Sequence, residues 1–307
     1  MIGKLKKCYR EIFWIIPTVK RAENNLHYLM RKQSLEQNIL YQNAMGVTDH
    51  KYCDHDIIVS LTTYGKRIYD VALTIESIME QTMKANRIVL WLDYSFQNVR
   101  LPGSIDALRK RGLEVKFCED IRSYKKLIPS LKAFPNDAII TIDDDIFYEY
   151  DLLENLIVSY LKNPSYIYCS RYHKMEFDEH GDLMPYMQWH LCCQEQEPRH
   201  INFMTGVGGG LYPPHSLDDE VFNDEVFKDI CQTGDDIWFN AMAIKKGTLV
   251  QKVYTHDCDP YIENSRVQDV ALWRVNNGKV NMNDVQIKAV FSKYRIYEHL
   301  ECNEKMK

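Results

Sequence analysis

Ile139-Ile140-Thr141-Ile142, followed at once by Asp143-Asp144-Asp145, is the stretch on which the fold reading turns. An apolar run this short, with no polar interruption, reads as a strand buried on both faces, as in a parallel sheet covered by helices. The three carboxylates that follow then mark the edge where the strand leaves the core. Adjacent like charges repel and call for a cation. Mg²⁺ or Mn²⁺ takes oxygen ligands and is held by one or two carboxylates with substrate phosphates, which suits Asp143 and Asp145, two apart on an extended segment. The competing reading is a solvated acidic turn ahead of a helix capped by Asp151.

The same rhythm extends on the N-terminal side. Ile57 to Leu61 reads as a strand, Asp70 to Gln81 as a helix, Arg87 to Leu92 as a strand and Ile105 to Lys110 as a helix. Leu113 to Phe117 reads as a strand, Tyr124 to Ala133 as a helix and Ala138 to Ile142 as a strand. Strands alternating with helices predict an α/β fold with a mostly parallel sheet. Ligands of such sheets bind beyond the carboxyl ends of the strands. That rule selects Thr62-Thr63-Tyr64, Asp93, Glu119-Asp120 and Asp143-Asp144-Asp145.

The rest of the composition sets limits. A chain of 307 residues, 45% hydrophobic and 26% charged, has the makings of a folded core rather than a disordered segment. A formal charge of -5 gives no sign of a nucleic-acid binder, and an anionic substrate then needs local help such as a metal. Nine cysteines without a regular spacing suggest neither a zinc site nor a disulfide framework and fit a reducing, cytoplasmic setting. Ile12 to Ile16 is too short to span a bilayer and Pro17 ends it. Lys4, Lys6, Lys7 and Arg10 beside that apolar run give residues 1–20 the makings of a peripheral membrane contact, against the alternative of a basic helix packed on the main domain. Val19 to about Ala44 reads as one long helix. The expected organisation is an N-terminal helical extension over 1–50, a main domain over 51–260 and a helical extension over 261–307.

Several of these elements resemble a known family. The strand ending in Asp143-Asp144-Asp145 resembles the D-x-D motif of GT-A glycosyltransferases, and Val59-Ser60-Leu61-Thr62-Thr63-Tyr64 resembles their first strand and nucleotide-binding loop. Gly206-Val207-Gly208-Gly209-Gly210-Leu211-Tyr212-Pro213-Pro214 is similar to the glycine-rich strand and turn on the acceptor side. Gly234-Asp235-Asp236-Ile237-Trp238 is similar to the acidic pair that opens the helix bearing the catalytic base. The match covers about residues 55 to 260, looks closest to the family-2-like branch that builds bacterial polysaccharides, and leaves both ends of the chain uncovered.

The resemblance implies a GT-A fold and an inverting, hexosyltransferase-type reaction in glycan or polysaccharide assembly. The donor is expected to be a nucleotide-sugar, a UDP-sugar first, and the acceptor a glycan or lipid-linked glycan at the inner face of a membrane. Nucleic acid is not an expected partner. Mn²⁺ or Mg²⁺ is expected on Asp145 directly, on Asp143 directly or through water, and on His256, which in similar enzymes completes the shell. Asp236 is expected to be the base, with Asp235 capping the helix or sharing the role. Donor contacts fall to Thr62, Thr63, Tyr64, Asp93, Asp120, Asp143 and Asp144. Arg67, Lys125 and Lys126 are candidates for phosphate contacts, Lys125 foremost because it opens a helix beside the third strand's end. Gly208, Gly209 and Gly210 let backbone approach an acceptor sugar, and Trp189 is a candidate stacking platform.

Three alternatives share parts of this pattern. A haloacid-dehalogenase-like phosphatase needs Thr or Val where Phe147 stands and carries its motif on the first strand. A nucleotidylyltransferase needs a glycine-rich loop where Thr62-Thr63-Tyr64-Gly65-Lys66-Arg67 stands. A non-catalytic carbohydrate- or nucleotide-sugar-binding protein of the same fold has no need of acidic residues at all three places.

Overall fold

The computed structural model describes residues 2–257, 259, 261–264 and 281–304. A seven-stranded sheet forms its centre, flanked by helices on both faces. The strands are β1 Ile57–Thr62, β2 Arg87–Asp93, β3 Leu113–Cys118, β4 Ala138–Thr141, β6 Ile167–Cys169, β9 Gly210–Tyr212 and β10 Val250–Lys252, in the order β10-β6-β9-β4-β1-β2-β3. The four strands expected from the apolar runs lie side by side and parallel. Ile58 faces Arg87 and Ile139 across the ladder, and Leu90 faces Val115. β9 is inserted antiparallel between β4 and β6, and β10 runs parallel to β6. Two short antiparallel pairs stand apart from this sheet: β5 Ile146–Tyr148 with β11 Tyr261–Glu263, and β7 Tyr172–Lys174 with β8 Asn202–Met204.

Alternation along β1 assigns the two cores. Ile57, Val59 and Leu61 point to one face, where they meet α2 Val71–Met79, α3 Gly103–Arg109, α5 Leu152–Lys162 and the end of α1 Ile2–Tyr41 through Leu35 and Ile39. Ile58 points to the other, with α4 Ile128–Ala133, α6 Asp224–Ile230 and α7 Asp235–Lys246. The C-terminal helices α8 Met282–Lys293 and α9 Ile296–Glu304 belong to that second core, because Ile287, Val290, Phe291, Ile296 and Leu300 are buried in it beside Trp238. Of the segment 261–307, the described residues 282–304 are mostly helical, Tyr261–Glu263 is a strand, and the helices' buried side chains belong to the second core. Residues 265–280 of the expected extension lie outside the described residues.

Two local expectations are corrected. Tyr124 to Ala133 does not form one α-helix: Arg122–Lys126 is a 3₁₀ turn and α4 starts only at Ile128, with Pro129 in its first turn. Proline fits there because its missing N–H falls among the helix's unpaired first donors. Asp151 precedes α5 but its side chain makes no capping bond. Among the described residues no helix is long and apolar enough to cross a membrane.

One buried ion pair joins this scaffold. Glu76 of α2 is fully buried and takes both guanidinium N–H groups of Arg111 at 2.5 and 3.1 Å, while Arg111 Nε donates to Ala44 O at 2.8 Å. Burial pushes the Glu76 carboxyl up and Arg111 opposes that shift. Replacing Arg111 by Met strands the carboxylate and is expected to cost about 3–5 kcal/mol in urea unfolding, with the Glu76→Gln/Arg111→Met double variant recovering most of it. Equal losses in the single and double variants would refute the pairing.

Candidate functional site

Asp143 leaves the carboxyl end of β4 and its backbone N–H donates to the hydroxyl of Tyr148, 2.9 Å away. That hydroxyl in turn donates to Val207 O at 3.0 Å, so one buried tyrosine ties the acidic loop to the glycine-rich loop. Asp144 and Asp145 are buried, which excludes a solvated acidic turn. Asp144 accepts from Thr63 Oγ1 and from Arg67 Nη1, both at 2.5 Å, and Arg67 Nη2 lies 3.2 Å from Asp145. Burial raises the Asp144 carboxyl above the ordinary range, and Arg67 and Thr63 only partly restore it. Arg67, expected to face phosphate, is held inward by these carboxylates with its guanidinium over the Tyr64 ring. Tyr64 itself is exposed, and Thr62 Oγ1 donates to Trp91 O at 2.8 Å.

The centre of the site is a residue that helical spacing passes over. Lys126 Nζ lies 2.9 Å from Asp143, 2.8 Å from Asp235 and 3.8 Å from Asp236. Lys125, the expected contact, turns away to Asp120 at 2.6 Å and Asp93 at 3.6 Å. The physical reason is the 3₁₀ turn, which rotates successive side chains by about 120° and so sends neighbouring lysines to different strand ends. Ser60 Oγ donates to Lys126 O at 2.6 Å and meets Ser130 Oγ at 2.7 Å, where Trp91 Nε1 also donates. The strands β1 and β2 therefore set the height of the ammonium. Burial alone lowers a lysine's pKa, yet Asp143, Asp235 and Asp236 together outweigh it and hold Lys126 charged.

Asp235 and Asp236 are the first residues of α7, where the helix dipole favours negative charge. The helix cap is Gly234, with no side-chain capping bond, so the expectation that Asp235 caps the helix is corrected: its carboxylate binds Lys126 instead. Asp236 Oδ2 accepts the Gly206 N–H at 3.0 Å, and its side chain remains 31% exposed. Its pKa is raised to about 7, chiefly by burial, with Asp235 and Asp143 adding to the shift and Lys126 and Gly206 opposing it. Asn240 fixes this helix end by donating to Asp236 O at 2.7 Å and exchanging two hydrogen bonds with Met204.

The glycines are placed by contact distance. A Cβ on Gly206 would lie 2.5 Å from Lys126 Nζ and 2.8 Å from Asp236 Oδ1, so only glycine lets the loop reach the cluster. Gly208 and Gly210 are occupied by Ser170, Arg171 and Met204, and Gly209 takes a positive φ of 84°. Those three pack against protein; the glycine that meets the site is Gly206. Trp189 is also corrected. It is 4% exposed, donates from its indole to Met184 O at 2.7 Å and packs on Phe203 and Tyr186, so it is a core residue and not a stacking platform.

The described structure does not assemble the three expected metal ligands. Asp143, Asp145 and His256 do not come together within 4.8 Å, and His256 is exposed beside Tyr254. The one group that does, Cys53-Asp54-His55, sits before β1 at the opposite edge. There His55 already bonds Asp54 at 2.7 Å and Tyr160 at 2.8 Å. Asp143 is paired with Lys126 and Asp145 lies 3.2 Å from Arg67, so a divalent ion there would share these carboxylates with two cations. Oxygen donors suited to Mg²⁺ or Mn²⁺ are present in Asp143 and Asp145, with His256 outside the set. A separate pocket of about 250 Å³, lined by Asp120, Arg122, Tyr124, Phe227, Lys228 and Gln232, opens past the end of β3. It shares Asp120 with the expected donor residues and contains none of the acidic cluster.

No family model matches this chain, and no curated protein matches it. The site is thus read from its own geometry. It joins an open carboxylate titrating near neutrality, a fixed ammonium and a second carboxylate at the carboxyl edge of the sheet, a set able to take a proton from a hydroxyl and to meet an anionic group.

The raised pKa has a thermodynamic signature. An Asp that titrates near 3.8 unfolded and about 7 folded holds more protons in the native state between those values. Its contribution to stability is therefore full below pH 3.8 and is lost as pH rises to about 7. Asp236→Asn should remove this slope, so that the variant gains on the wild type in urea unfolding as pH is raised from acid to neutral. Parallel pH profiles would show that Asp236 titrates normally.

Proposed function

We propose that the chain is a GT-A-like glycosyltransferase that moves a sugar from a nucleoside diphosphate donor to an acceptor hydroxyl. The observation that carries this reading is Asp236, half-buried with its carboxyl raised to about 7 and joined through Lys126 to Asp143 at the end of β4. A general base works best when its pKa lies near the working pH. In the proposed reaction the acceptor oxygen bonds to the anomeric carbon as the bond to the diphosphate oxygen breaks, and the acceptor proton passes to Asp236. Inversion, a UDP-sugar donor and a role in glycan or polysaccharide assembly belong to this proposal through the resemblance alone.

The remaining residues divide by charge. Asp143 and Asp145 are the proposed holders of Mn²⁺ or Mg²⁺, which when bound supplies charge stabilisation to the departing diphosphate. Lys126 keeps Asp235 and Asp236 apart from Asp143 while tethering all three, and so orients the base. Arg67 holds Asp144 and Asp145 from the other side. The buried Lys125 with Asp93 and Asp120 forms a second polar group past β2 and β3, in reach of a nucleotide lying along the carboxyl edge.

Two measurements test the proposal. A nucleotide-sugar that binds should raise stability by roughly 2.7 kcal/mol at 100 times its dissociation constant, and only with Mn²⁺ or Mg²⁺ present. Release of nucleotide should follow, and Asp145→Asn should abolish both. A panel in which no nucleotide-sugar stabilises the protein and none is hydrolysed would overturn the reading; stabilisation without any turnover would favour a binding protein.

The roles within the acidic pair separate kinetically. Asp236→Asn is expected to lower the rate by a factor on the order of 10² to 10⁴ with donor affinity unchanged. Asp235→Asn, which loosens Lys126 and removes a charge that raises the Asp236 carboxyl, should lose less rate and move the pH profile toward acid. Reversal of that order would assign the base to Asp235.

A further inference from the structure

The helix α1 runs without a break from Ile2 to Tyr41, and among its residues of described burial, 18–41, those buried on the domain lie in the last third. Arg31, Leu35 and Ile39 are buried on one side, whereas every residue from Thr18 to His27 is exposed. A solitary helix in water is marginal, because most helical stability in proteins comes from packing of an apolar face. This stretch has such a face. Val19, Leu26 and Leu29 are 58%, 59% and 58% exposed and lie on the side of α1 away from Leu35 and Ile39.

Their spacing is that of a coiled coil. With Val19 at position a of a heptad, the preceding and following a positions are Leu5, Ile12 and Leu26. The d positions are Cys8, Ile15, Ala22 and Leu29. Eight successive a and d positions are thus apolar, over roughly 37 Å of helix at 1.5 Å per residue. The repeat turns polar at Gln33 and Glu36, where α1 settles onto the domain. Pro17 falls at position f, farthest from a partner, where a local loss of helix bonding is least felt by the seam.

We propose that α1 is a dimerisation helix whose partner is α1 of a second copy of this chain, in a parallel two-stranded coiled coil. A period of 3.5 residues suits a partner that is itself a helix, and the small Ala22 at position d lets two helices approach closely. In a parallel pairing the flanking g and e residues meet as Lys4 with Tyr9, Glu11 with Ile16, Thr18 with Glu23 and Asn25 with Met30, so no like charges oppose. The apolar stripe extends past residues 1–20, to Leu26 and Leu29, beyond the basic segment that a membrane surface would use.

Sedimentation of the full chain at about 50 μM should give a dimer, because the state of such a protein depends on its concentration. The Leu26→Glu/Leu29→Glu variant alters exposed positions only and should raise the dissociation constant by ~100-fold or more while leaving the unfolding transition of the monomer intact. In a Cys8→Ser parent, Ala22→Cys at a d position should form a disulfide-linked dimer on oxidation, and Asn24→Cys at an f position should not. A monomeric wild type, a dimer untouched by the double variant, or equal cross-linking at 22 and 24 each overturns the proposal. Flotation of a monomeric wild type with anionic phosphatidylglycerol vesicles, lost in the double variant, overturns it in favour of a membrane surface.

Discussion

The Lys126 ammonium is buried where two separate parts of the chain deliver three carboxylates, and their mutual repulsion is tolerable only because it stands between them. Asp143 comes from the end of β4, Asp235 and Asp236 from the start of α7, and these meet nowhere else in the described structure through an ion pair. Removing the charge from Lys126 would leave the β4 loop and the α7 terminus repelling across a poorly solvated gap. Its position is in turn fixed by hydrogen bonds from Ser60 and, through Ser130, from Trp91, so the parallel strands β1 and β2 determine where the ammonium sits. The sheet does more than bury apolar surface: it sets the distance between acidic groups.

That constraint explains the backbone around it. Gly206 lacks a side chain because Lys126 and Asp236 occupy the space, and its N–H is aimed at Asp236. Tyr148 spends its one hydroxyl on joining Asp143 N–H to Val207 O, which locks the acidic and glycine loops into register. A loop that only needed flexibility would carry neither restriction. Asp144, buried between Thr63 and Arg67, does similar work on the other side and anchors the first strand's loop to the fourth strand's end.

How far this was legible from the residues depended on period and range. The run Ile139 to Ile142 and its counterparts in β1 to β3 announce themselves because a strand buried on both faces has few polar residues to confuse the pattern. The three-residue strand β6 carries too little pattern to stand out, and β9 is legible only through the glycine-rich strand of the resemblance, not through any apolar run. The acidic groups at strand ends were found by position alone. The choice between Lys125 and Lys126 was not, because it depends on a 3₁₀ turn whose rotation differs from that of an α-helix and which Pro129 helps to separate from α4. Trp189 shows the same limit from the other direction: nothing in its neighbours in sequence reveals Phe203 and Tyr186 closing over it.

The protonation of Asp236 belongs to the same cluster. One ammonium faces three carboxylates here, and the member farthest from it, Asp236, has its pKa raised to about 7, chiefly by burial and further by Asp235 and Asp143. Asp143 and Asp235 lie within 3 Å of the ammonium, whereas Asp236 at 3.8 Å gains least from it. Asp236 is also the one that borders the glycine loop, through the Gly206 N–H. Any positive charge arriving at the cluster then favours release of that proton, since it stabilises the ionised form. Burial therefore raises the Asp236 carboxyl, and one lysine placed unequally among three aspartates opposes that rise only in part.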